Sequence, residues 1–256
     1  MDGTYADIKG TRWFYIERGE GLPILYVHGN TGSSTWWERV MDVPGHRCVA
    51  PDLPNFGRSD ALAGEISIEA YAEALASFVA ALGLEGALVV GHSLGGAIAM
   101  SLAARHVELV GGLVLVDSSS PKGLVTPETH YPAIEMMRQD RAFLARALRS
   151  VVPTLTDEDY FERLVSDASK MARPAWEGNA RALSSFDVTG RFLSWVKPVA
   201  VLWGRMDSII SEAMARETAA AFPAARLEIL EEVGHSVIVE KPELFSALLG
   251  ELAAPV

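Results

Sequence analysis

The 256-residue sequence predicts an α/β fold with a mostly parallel sheet flanked by helices, and three observations lead to this class. Short apolar runs typical of strands covered on both faces recur along the chain. Amphipathic helical patterns separate several of these runs. A single long stretch, residues 118–196, carries helical patterns without any strand-like run.

Six runs are predicted as buried strands of an eight-stranded type of sheet: "PILYVHG" from 23, "RCVAPD" from 47, "ALVVGH" from 87, "GLVLVD" from 112, "PVAVLWG" from 198 and "RLEILE" from 226. Between them, residues 68–82 form an apolar helical stripe that Gly83 should end. Ser211 and Pro242 are typical first residues of two further helices.

The stretch 118–196 should be a helical insertion. One helical face spans residues 143–151, Thr156 and Asp159 resemble a capping pair for a second helix, and a third helix is predicted over 174–183. An insertion after one strand most simply covers the carboxyl edge of the sheet, where ligands bind in open α/β folds. We therefore divide the chain into a core, 1–117 and 197–256, and a lid, 118–196.

The composition narrows the classes of partner. A formal net charge of −11 opposes binding to phosphate backbones and anionic lipids, so a small neutral molecule is favoured over nucleic acid. The N-terminal residues lack the basic start and apolar run of a signal peptide, which predicts a cytoplasmic protein without membrane insertion. Cys48 is the single cysteine and lies in a predicted core strand; no Cys/His cluster indicates a metal.

The pentapeptide GHSLG at residues 91–95 matches G-x-S-x-G, directly after one strand-like run and before a helix-like run at 97–105. A sharp strand-to-helix turn brings backbones close together, so the positions around the serine must be small. Such a turn would raise the Ser93 hydroxyl above the sheet edge as a nucleophile. His92 is expected to pack or to hydrogen-bond locally.

A serine nucleophile needs a base, and the base needs an orienting carboxylate. His235 follows the last strand-like run, and Asp207 follows the preceding one, so both should lie at the same sheet edge as Ser93. We predict the triad Ser93, Asp207 and His235. Asp117, also at a strand end, is the rival acid.

The loop "VHGNTGSS" after the first predicted strand carries glycines that let it curl inward. We expect the backbone N–H groups of Asn30 and Leu94 to form an oxyanion hole. The alternative is a tight turn with no such role.

The segments "VHGNTGSS", "APDLPNFGRSD", "VVGHSLGG", "LWGRMDSI" and "VGHSVIVEKP" resemble, in order, those of the α/β-hydrolase fold family, and among its members the lid-bearing serine esterases. Ser93 stands where dehalogenases and epoxide hydrolases of that family carry aspartate, which disfavours those reactions. Ser236 stands where carbon-carbon bond hydrolases often carry tryptophan. Asn55 replaces a usual glycine, and asparagine tolerates the left-handed backbone that this turn needs.

The residues that could line an apolar substrate pocket are aromatic residues and methionines near the oxyanion loop or in the insertion. They are Trp36, Trp37, Tyr131, Met136, Met137, Phe143 and Trp176. Most of them could instead pack the insertion onto the core, and the pair Trp36 and Trp37 could start a packed helix. The arginines at 138, 141, 146 and 149 could receive an acidic carrier or substrate, but an exposed helix face is the favoured interpretation.

The predicted function is a serine hydrolase that cleaves carboxylic esters of small to medium, largely apolar substrates through an acyl-enzyme, without metal or cofactor. We expect a monomer or a homodimer. A lactonase or carbon-carbon bond hydrolase with the same triad, a non-heme haloperoxidase or perhydrolase, and a ligand receptor of the same fold remain alternatives.

Overall fold

The computed structural model describes residues 2–253. The strands of this part of the chain are β1 (Thr4–Ile8), β2 (Thr11–Arg18), β3 (Leu22–Val27), β4 (His46–Pro51), β5 (Ala87–His92), β6 (Val110–Val116), β7 (Val199–Gly204) and β8 (Arg226–Leu230). Its α-helices are α1 (Ile68–Leu82), α2 (Leu94–Arg105), α3 (Tyr131–Gln139), α4 (Arg141–Val151), α5 (Glu158–Ala168), α6 (Arg173–Ser185), α7 (Glu212–Ala220), α8 (Val237–Glu240) and α9 (Pro242–Ala253).

The eight strands form one sheet in the order β1-β2-β4-β3-β5-β6-β7-β8. The pairs β1–β2 and β2–β4 are antiparallel, and every pair from β4 to β8 is parallel. The carboxyl ends of β3, β5, β6, β7 and β8 therefore meet at one edge. The predicted class, a mostly parallel eight-stranded sheet flanked by helices, is confirmed.

All six predicted strands are present. Five of them are mostly buried, whereas β8, at the edge of the sheet, is partly exposed along most of its length. Residues 24–27 of β3 are fully buried, and β7 is buried along its whole length. Cys48 lies buried in β4, as predicted. The predicted helices at 68–82, after Ser211 and from Pro242 are α1, α7 and α9; Gly83 ends α1 in the left-handed conformation, with φ 63°.

The N-terminal hairpin β1–β2 was not predicted. In "TRWFYIER" the buried residues Trp13, Phe14 and Ile16 do not alternate cleanly with exposed ones, so a period of two is weak. Tertiary contacts define this strand instead: the Trp13 ring stacks on Phe78 of α1, with 4.8 Å between ring centroids. Helix α3 was also missed.

The predicted capping pair for α5 is wrong by one residue. Asp157, not Thr156, is the N-cap, and its Oδ1 accepts a hydrogen bond from the backbone N–H of Tyr160 at 2.9 Å. Two acidic residues in the first turn add favourable charge at the positive end of the helix. Aspartate is a better cap than threonine, which explains the choice.

Helices α3 to α6 lie between β6 and β7, within residues 118–196. Buried hydrogen bonds join α5 to the loop after β3. The Tyr160 hydroxyl donates to the Thr35 carbonyl at 2.8 Å, and Asp167 accepts from the hydroxyls of Ser33 and Thr35 at 2.9 and 2.6 Å. Within residues 2–253, no helix is long and apolar enough to cross a membrane.

Helix α2 approaches β3 more closely than a side chain would allow. A Cβ atom on Gly95 would lie 2.1 Å from the Val27 carbonyl oxygen, and one on Gly91 would lie 2.5 Å from the Gly95 carbonyl oxygen. Both obstacles are backbone atoms, so a rotamer change cannot relieve them. The glycines fix the distance between α2 and the sheet.

Gly95→Ala is expected to destabilise the protein by about 1–3 kcal/mol or more, although alanine is the better helix former. The matched control is Gly250→Ala in α9, where a Cβ meets no atom within 4 Å. That variant should be neutral or slightly stabilising. Urea unfolding followed by circular dichroism measures both, and equal midpoints would contradict the argument.

Candidate active site

Ser93 lies at the turn between β5 and α2. Its backbone has φ 54° and ψ −116°, a strained conformation for a residue with a side chain. The Ser93 N–H donates to the Val116 carbonyl of β6 at 3.0 Å, which ties the turn to the neighbouring strand. The residue remains partly exposed among buried neighbours. The turn therefore presents the hydroxyl at the carboxyl edge of the sheet.

His235 and Asp207 form a hydrogen-bonded pair at the same edge. The Nδ1 atom of His235 lies 2.7 Å from Oδ2 of Asp207, and both side chains are almost completely buried. The other oxygen, Oδ1, accepts from the backbone N–H groups of Ile209 and Ile210 at 2.7 and 3.0 Å. A carboxylate held in this way fixes the ring orientation and leaves Nε2 of His235 to act as a base.

Among residues 2–253, no hydrogen bond joins the Ser93 hydroxyl to His235. His92, the residue before Ser93, contacts the His235 ring with 5.0 Å between ring centroids. Contacts between a nucleophile and its base are often longer before substrate binds. The structure thus brings Ser93, His235 and Asp207 to one edge, with the His235–Asp207 contact formed.

His92 connects the serine turn to the histidine loop. Its Nε2 lies 2.8 Å from both the His235 carbonyl oxygen and the Ser236 hydroxyl, so Nε2 carries the proton and donates to the carbonyl. Trp36 stacks on the other side of the ring. The sequence predicted local packing or hydrogen bonding for His92. The structure shows instead a hydrogen bond to a residue 143 positions away along the chain. Burial, aided by the charge of nearby His235, lowers the pKa of His92 to about 3.

The loop after β3 curls beside the serine turn. His28 donates from Nδ1 to the Gly29 carbonyl at 2.8 Å and accepts from the Leu53 N–H at Nε2, so its tautomer is fixed. A Cβ on Gly29 would lie 3.0 Å from Cβ of Ser93. In the described part of the chain, the N–H groups of Asn30 and Leu94 take no part in loop or turn hydrogen bonds. Both amides therefore remain available to a ligand near Ser93.

A buried chain of hydrogen bonds, which sequence analysis missed, holds the Asn30 side chain. Asn179 of α6 donates to the Asn30 side-chain oxygen at 2.9 Å and accepts from the Tyr71 hydroxyl at 3.0 Å. Asn55 in turn donates to the Tyr71 hydroxyl at 2.9 Å, and its φ of 76° confirms the predicted left-handed turn. Burial raises the pKa of Tyr71 to about 12, so the phenol keeps its proton. No sequence motif signals a pairing between residues 149 positions apart.

Asp117, the rival acid, directly follows β6 with φ 44° and is almost completely buried. Its Oδ1 accepts from the Gly204 N–H at 2.8 Å, and within residues 2–253 no hydrogen bond joins it to His235. Burial and the neighbouring charge of Asp207 raise the pKa of Asp117 well above its usual range. Asp207 is therefore the carboxylate that orients His235.

The candidate pocket residues lie in different places. Trp36 is buried against His92, and Trp37 packs in the core between Tyr26 and Phe245. The other candidates lie in the insertion. Among them, Met136 is half exposed on α3, Met137 packs against the core, and Trp176 lines a cavity of about 440 Å³ beside charged side chains. Of these candidates, within the described residues, Trp36 is the one whose ring contacts His92, the residue next to Ser93.

The insertion arginines are largely neutralised within the insertion. Arg138 pairs with Glu135, Arg141 with Glu162, and Arg149 with Glu158, while Arg146 lies over the Phe143 ring. This pairing favours an exposed helix face over a site for an acidic carrier. In residues 2–253, no group of three or more His, Cys, Asp or Glu side chains is arranged to hold a metal ion.

Comparison with known proteins identifies the class. A model of the alpha/beta hydrolase family matches residues 24–248. The chain therefore belongs to the alpha/beta hydrolase family, as its fold and the edge location of its serine turn indicate.

Individual relatives are moderately similar. The 2-hydroxymuconate semialdehyde hydrolase of Pseudomonas putida is 29% identical over 259 residues, which cover 96% of this chain and 92% of that protein. An esterase from Exiguobacterium antarcticum has a TM-score of 0.86 at 20% identity, covering 99% of this chain and 100% of the other. The enol-lactonase from Burkholderia xenovorans LB400 has a TM-score of 0.83 at 22% identity, covering 97% and 99%. Both solved structures share the fold.

The buried His92 should remain neutral throughout the neutral and mildly acidic range. The unfolded chain binds a proton on this residue near its usual pKa of about 6.5, whereas the folded protein does so only near pH 3. The free energy of unfolding should therefore fall as the pH falls from about 6.5 towards 3. Urea unfolding at a series of pH values measures this slope.

His92→Gln keeps an N–H donor for the His235 carbonyl but cannot titrate. Its unfolding free energy should decrease less steeply over the same pH range. Part of the slope should persist, because burial also lowers the pKa of His28. An identical pH dependence in the wild type and in His92→Gln would contradict the assignment, as would movement of the His92 ring signals in NMR between pH 5 and 8.

Proposed function

We propose that this protein is a serine hydrolase that cleaves carboxylic esters of small to medium, largely apolar substrates. The observation that carries the proposal is the oriented His235–Asp207 pair, 2.7 Å apart, at the same sheet edge as a strained Ser93 turn. A buried carboxylate on Nδ1 and a free Nε2 suit a base for a serine nucleophile. The free amides of Asn30 and Leu94 suit an oxyanion hole.

In the proposed reaction, Nε2 of His235 takes the Ser93 proton as Oγ attacks the ester carbonyl carbon. The negative charge on the carbonyl oxygen is bound by the amides of Asn30 and Leu94, while Asp207 stabilises the imidazolium. Collapse breaks the carbon-oxygen bond, and His235 gives its proton to the departing alcohol. Water then hydrolyses the acyl-enzyme by the same proton transfers, releasing the acid and free Ser93. No step uses a metal or cofactor.

We further propose that residues 118–196 act as a lid that helps to shape the site. Two contacts support this role. The His235 N–H donates to the Val151 carbonyl at the end of α4, at 2.8 Å, and Asn179 of α6 holds the Asn30 side chain. The insertion thus contacts both the histidine loop and the proposed oxyanion loop. A cover of this kind excludes water and positions substrate.

A carbon-carbon bond hydrolase with the same residues is the second candidate. The 29% identical Pseudomonas putida relative is named as a 2-hydroxymuconate semialdehyde hydrolase, and it aligns with nearly the whole chain. The residue after His235 argues against this candidate. Such hydrolases often carry tryptophan at that position, whereas this chain carries Ser236, whose hydroxyl contacts His92. An ester substrate therefore remains the preferred assignment.

A fluorophosphonate probe should form a covalent adduct with the wild type, and intact mass followed by peptide mapping should locate it on Ser93. Ser93→Ala should form no adduct and should lose p-nitrophenyl ester turnover by about 10³-fold or more. The control is Ser185→Ala, an exposed serine on α6, which should react like the wild type. An adduct elsewhere, or unchanged turnover in Ser93→Ala, would rule out the mechanism.

A substrate panel separates the candidates that share this triad. The proposal predicts higher kcat/KM for acyl esters than for lactones or vinylogous diketones, and no acetate-dependent turnover of peroxide. A preference for diketones would establish the carbon-carbon hydrolase instead. Stoichiometric adduct formation without turnover of any substrate would favour a ligand receptor of the same fold.

Asn179→Ala tests the lid. The change removes the acceptor for the Tyr71 hydroxyl and the donor to the Asn30 side-chain oxygen, which should lower the unfolding free energy by about 1–3 kcal/mol. If the insertion positions the oxyanion loop, kcat should also fall at temperatures where the variant is fully folded. Ser185→Ala on the same helix serves as control. A stability loss with unchanged kcat would limit Asn179 to a structural role.

A further inference from the structure

A second buried carboxyl group lies beside the orienting aspartate. Asp117 is 1% exposed, and its Oδ1 accepts from the Gly204 N–H at 2.8 Å. Its other oxygen, Oδ2, is buried without a hydrogen-bond donor in the described part of the chain. Gly204 joins Asp117 to Asp207, because its N–H donates to Asp117 Oδ1 and its carbonyl accepts from the Asp207 N–H at 3.0 Å. A side-chain interaction with Asp207 also contributes to the raised pKa of Asp117. A buried polar oxygen without a partner is costly, and such groups need an explanation.

Among residues 2–253, no cationic side chain forms an ion pair with Asp117. The charged groups that act on it most strongly are Asp207 and Glu240, and both are acidic. Glu240 is already bonded, since its oxygens accept from Thr154, Gly234 and Ser236. On the α2 side, Gly96 lies against the neighbouring Ser118. The imidazole of His235 bonds to Asp207.

Two ionised carboxylates in contact and shielded from water would repel each other strongly. As carboxylates they can only accept, which is why Oδ2 of Asp117 lacks a partner. A single proton between them removes both difficulties, because a protonated carboxyl group donates to its neighbour. One proton leaves one negative charge on the pair, the charge needed to balance a His235 imidazolium.

The hydrogen-bond donors decide which residue holds the proton. Asp207 accepts from His235 Nδ1 and from the amides of Ile209 and Ile210. Asp117 accepts from a single amide, that of Gly204. Donors stabilise the ionised form, so the charge belongs on Asp207 and the proton on Asp117. Burial, and then the charge of Asp207, raise the pKa of Asp117, which also places the proton on Asp117.

We propose that Asp117 is a protonated acid at neutral pH and that its Oδ2–H donates a hydrogen bond to the Asp207 carboxylate. Asp117 is thereby a positioning residue that acts on His235 through Asp207. For catalysis the inference rests on the proposed function. Its O–H draws negative charge away from the Asp207 oxygen that faces His235, which makes the imidazole less basic and keeps Asp207 fixed.

Infrared spectroscopy tests the protonation state without reference to activity. With isotopically labelled aspartate, the difference spectrum between the wild type and Asp117→Asn at pH 7 should show the C=O stretch of one protonated carboxylic acid. Absence of that band at pH 7 would overturn the proposal, whatever the enzyme hydrolyses. Its presence would stand even if Ser93 proved not to be the nucleophile.

Stability against pH gives a second test in the folded protein. Asp117 ionises in the unfolded chain near its usual pKa of about 3.9 but keeps its proton when folded, so wild-type stability falls as the pH rises above that value. Asp117→Asn keeps a donor for Asp207 and an acceptor for Gly204 without this penalty. Its urea midpoint should exceed that of the wild type by an amount that increases from pH 4 to pH 8. A lower midpoint at pH 8 would contradict the proposal.

The pH profile of kcat/KM distinguishes a role of Asp117 in positioning His235 from a purely structural role. Asp117→Asn should keep kcat within about twofold of the wild type and should leave the acidic limb unmoved. Asp117→Ala, which lacks the donor, should lower kcat by about tenfold or more and shift the acidic limb to higher pH, because His235 becomes more basic. Equal losses in both variants with unmoved limbs would overturn the positioning role. If Asp117→Ala does not fold, the infrared band and the pH-dependent stability of Asp117→Asn decide the proposal, because neither depends on activity.

Discussion

The close approach of α2 to β3 is the constraint on which the rest of the site depends. Backbone atoms alone fill the space beside Gly91 and Gly95, so the chain must reverse within one residue between strand and helix. Ser93 absorbs that reversal with φ 54°. The same turn leaves the Leu94 amide at the start of α2, next to the hydroxyl. The proposed nucleophile and one proposed oxyanion donor thus follow from one packing requirement.

Around this turn, buried polar groups are held in pairs and chains that join distant loops. His92 bonds to the His235 carbonyl, and Asp207 orients the His235 ring. In low dielectric surroundings each such group is favourable only when its partner is present, so the loops at the sheet edge stabilise one another. Within residues 2–253, Oδ2 of Asp117 has no hydrogen-bond donor, and on our proposal it gains a partner by carrying a proton. The electrostatic character of the site therefore depends on where one proton resides.

Much of the fold and of the site could be predicted from local patterns. Continuous apolar runs reveal most of the buried strands even though they lack an alternation of apolar and polar residues. The glycines around Ser93 indicate that α2 packs closely against the sheet. The hairpin β1–β2 was not predicted, because its side chains are buried by contacts with α1. A local sequence pattern does not encode contacts with a distant helix. The cap of α5 was misplaced because Thr156, Asp157 and Asp159 are all good capping residues, and backbone geometry selects among them.

The sequence by itself determined the α/β class, the segments that form most of the strands, and the positions of Ser93, Asp207 and His235 just after strand ends on one edge of the sheet. These depend on residue type and on position at strand ends, which are local properties. Only the tertiary structure decided that Asp207 rather than Asp117 contacts His235, that Asn179 holds the Asn30 side chain, and that Trp37 lies in the core. Such choices depend on distances of a few ångströms between segments far apart in the chain, and sequence patterns carry no measure of those distances.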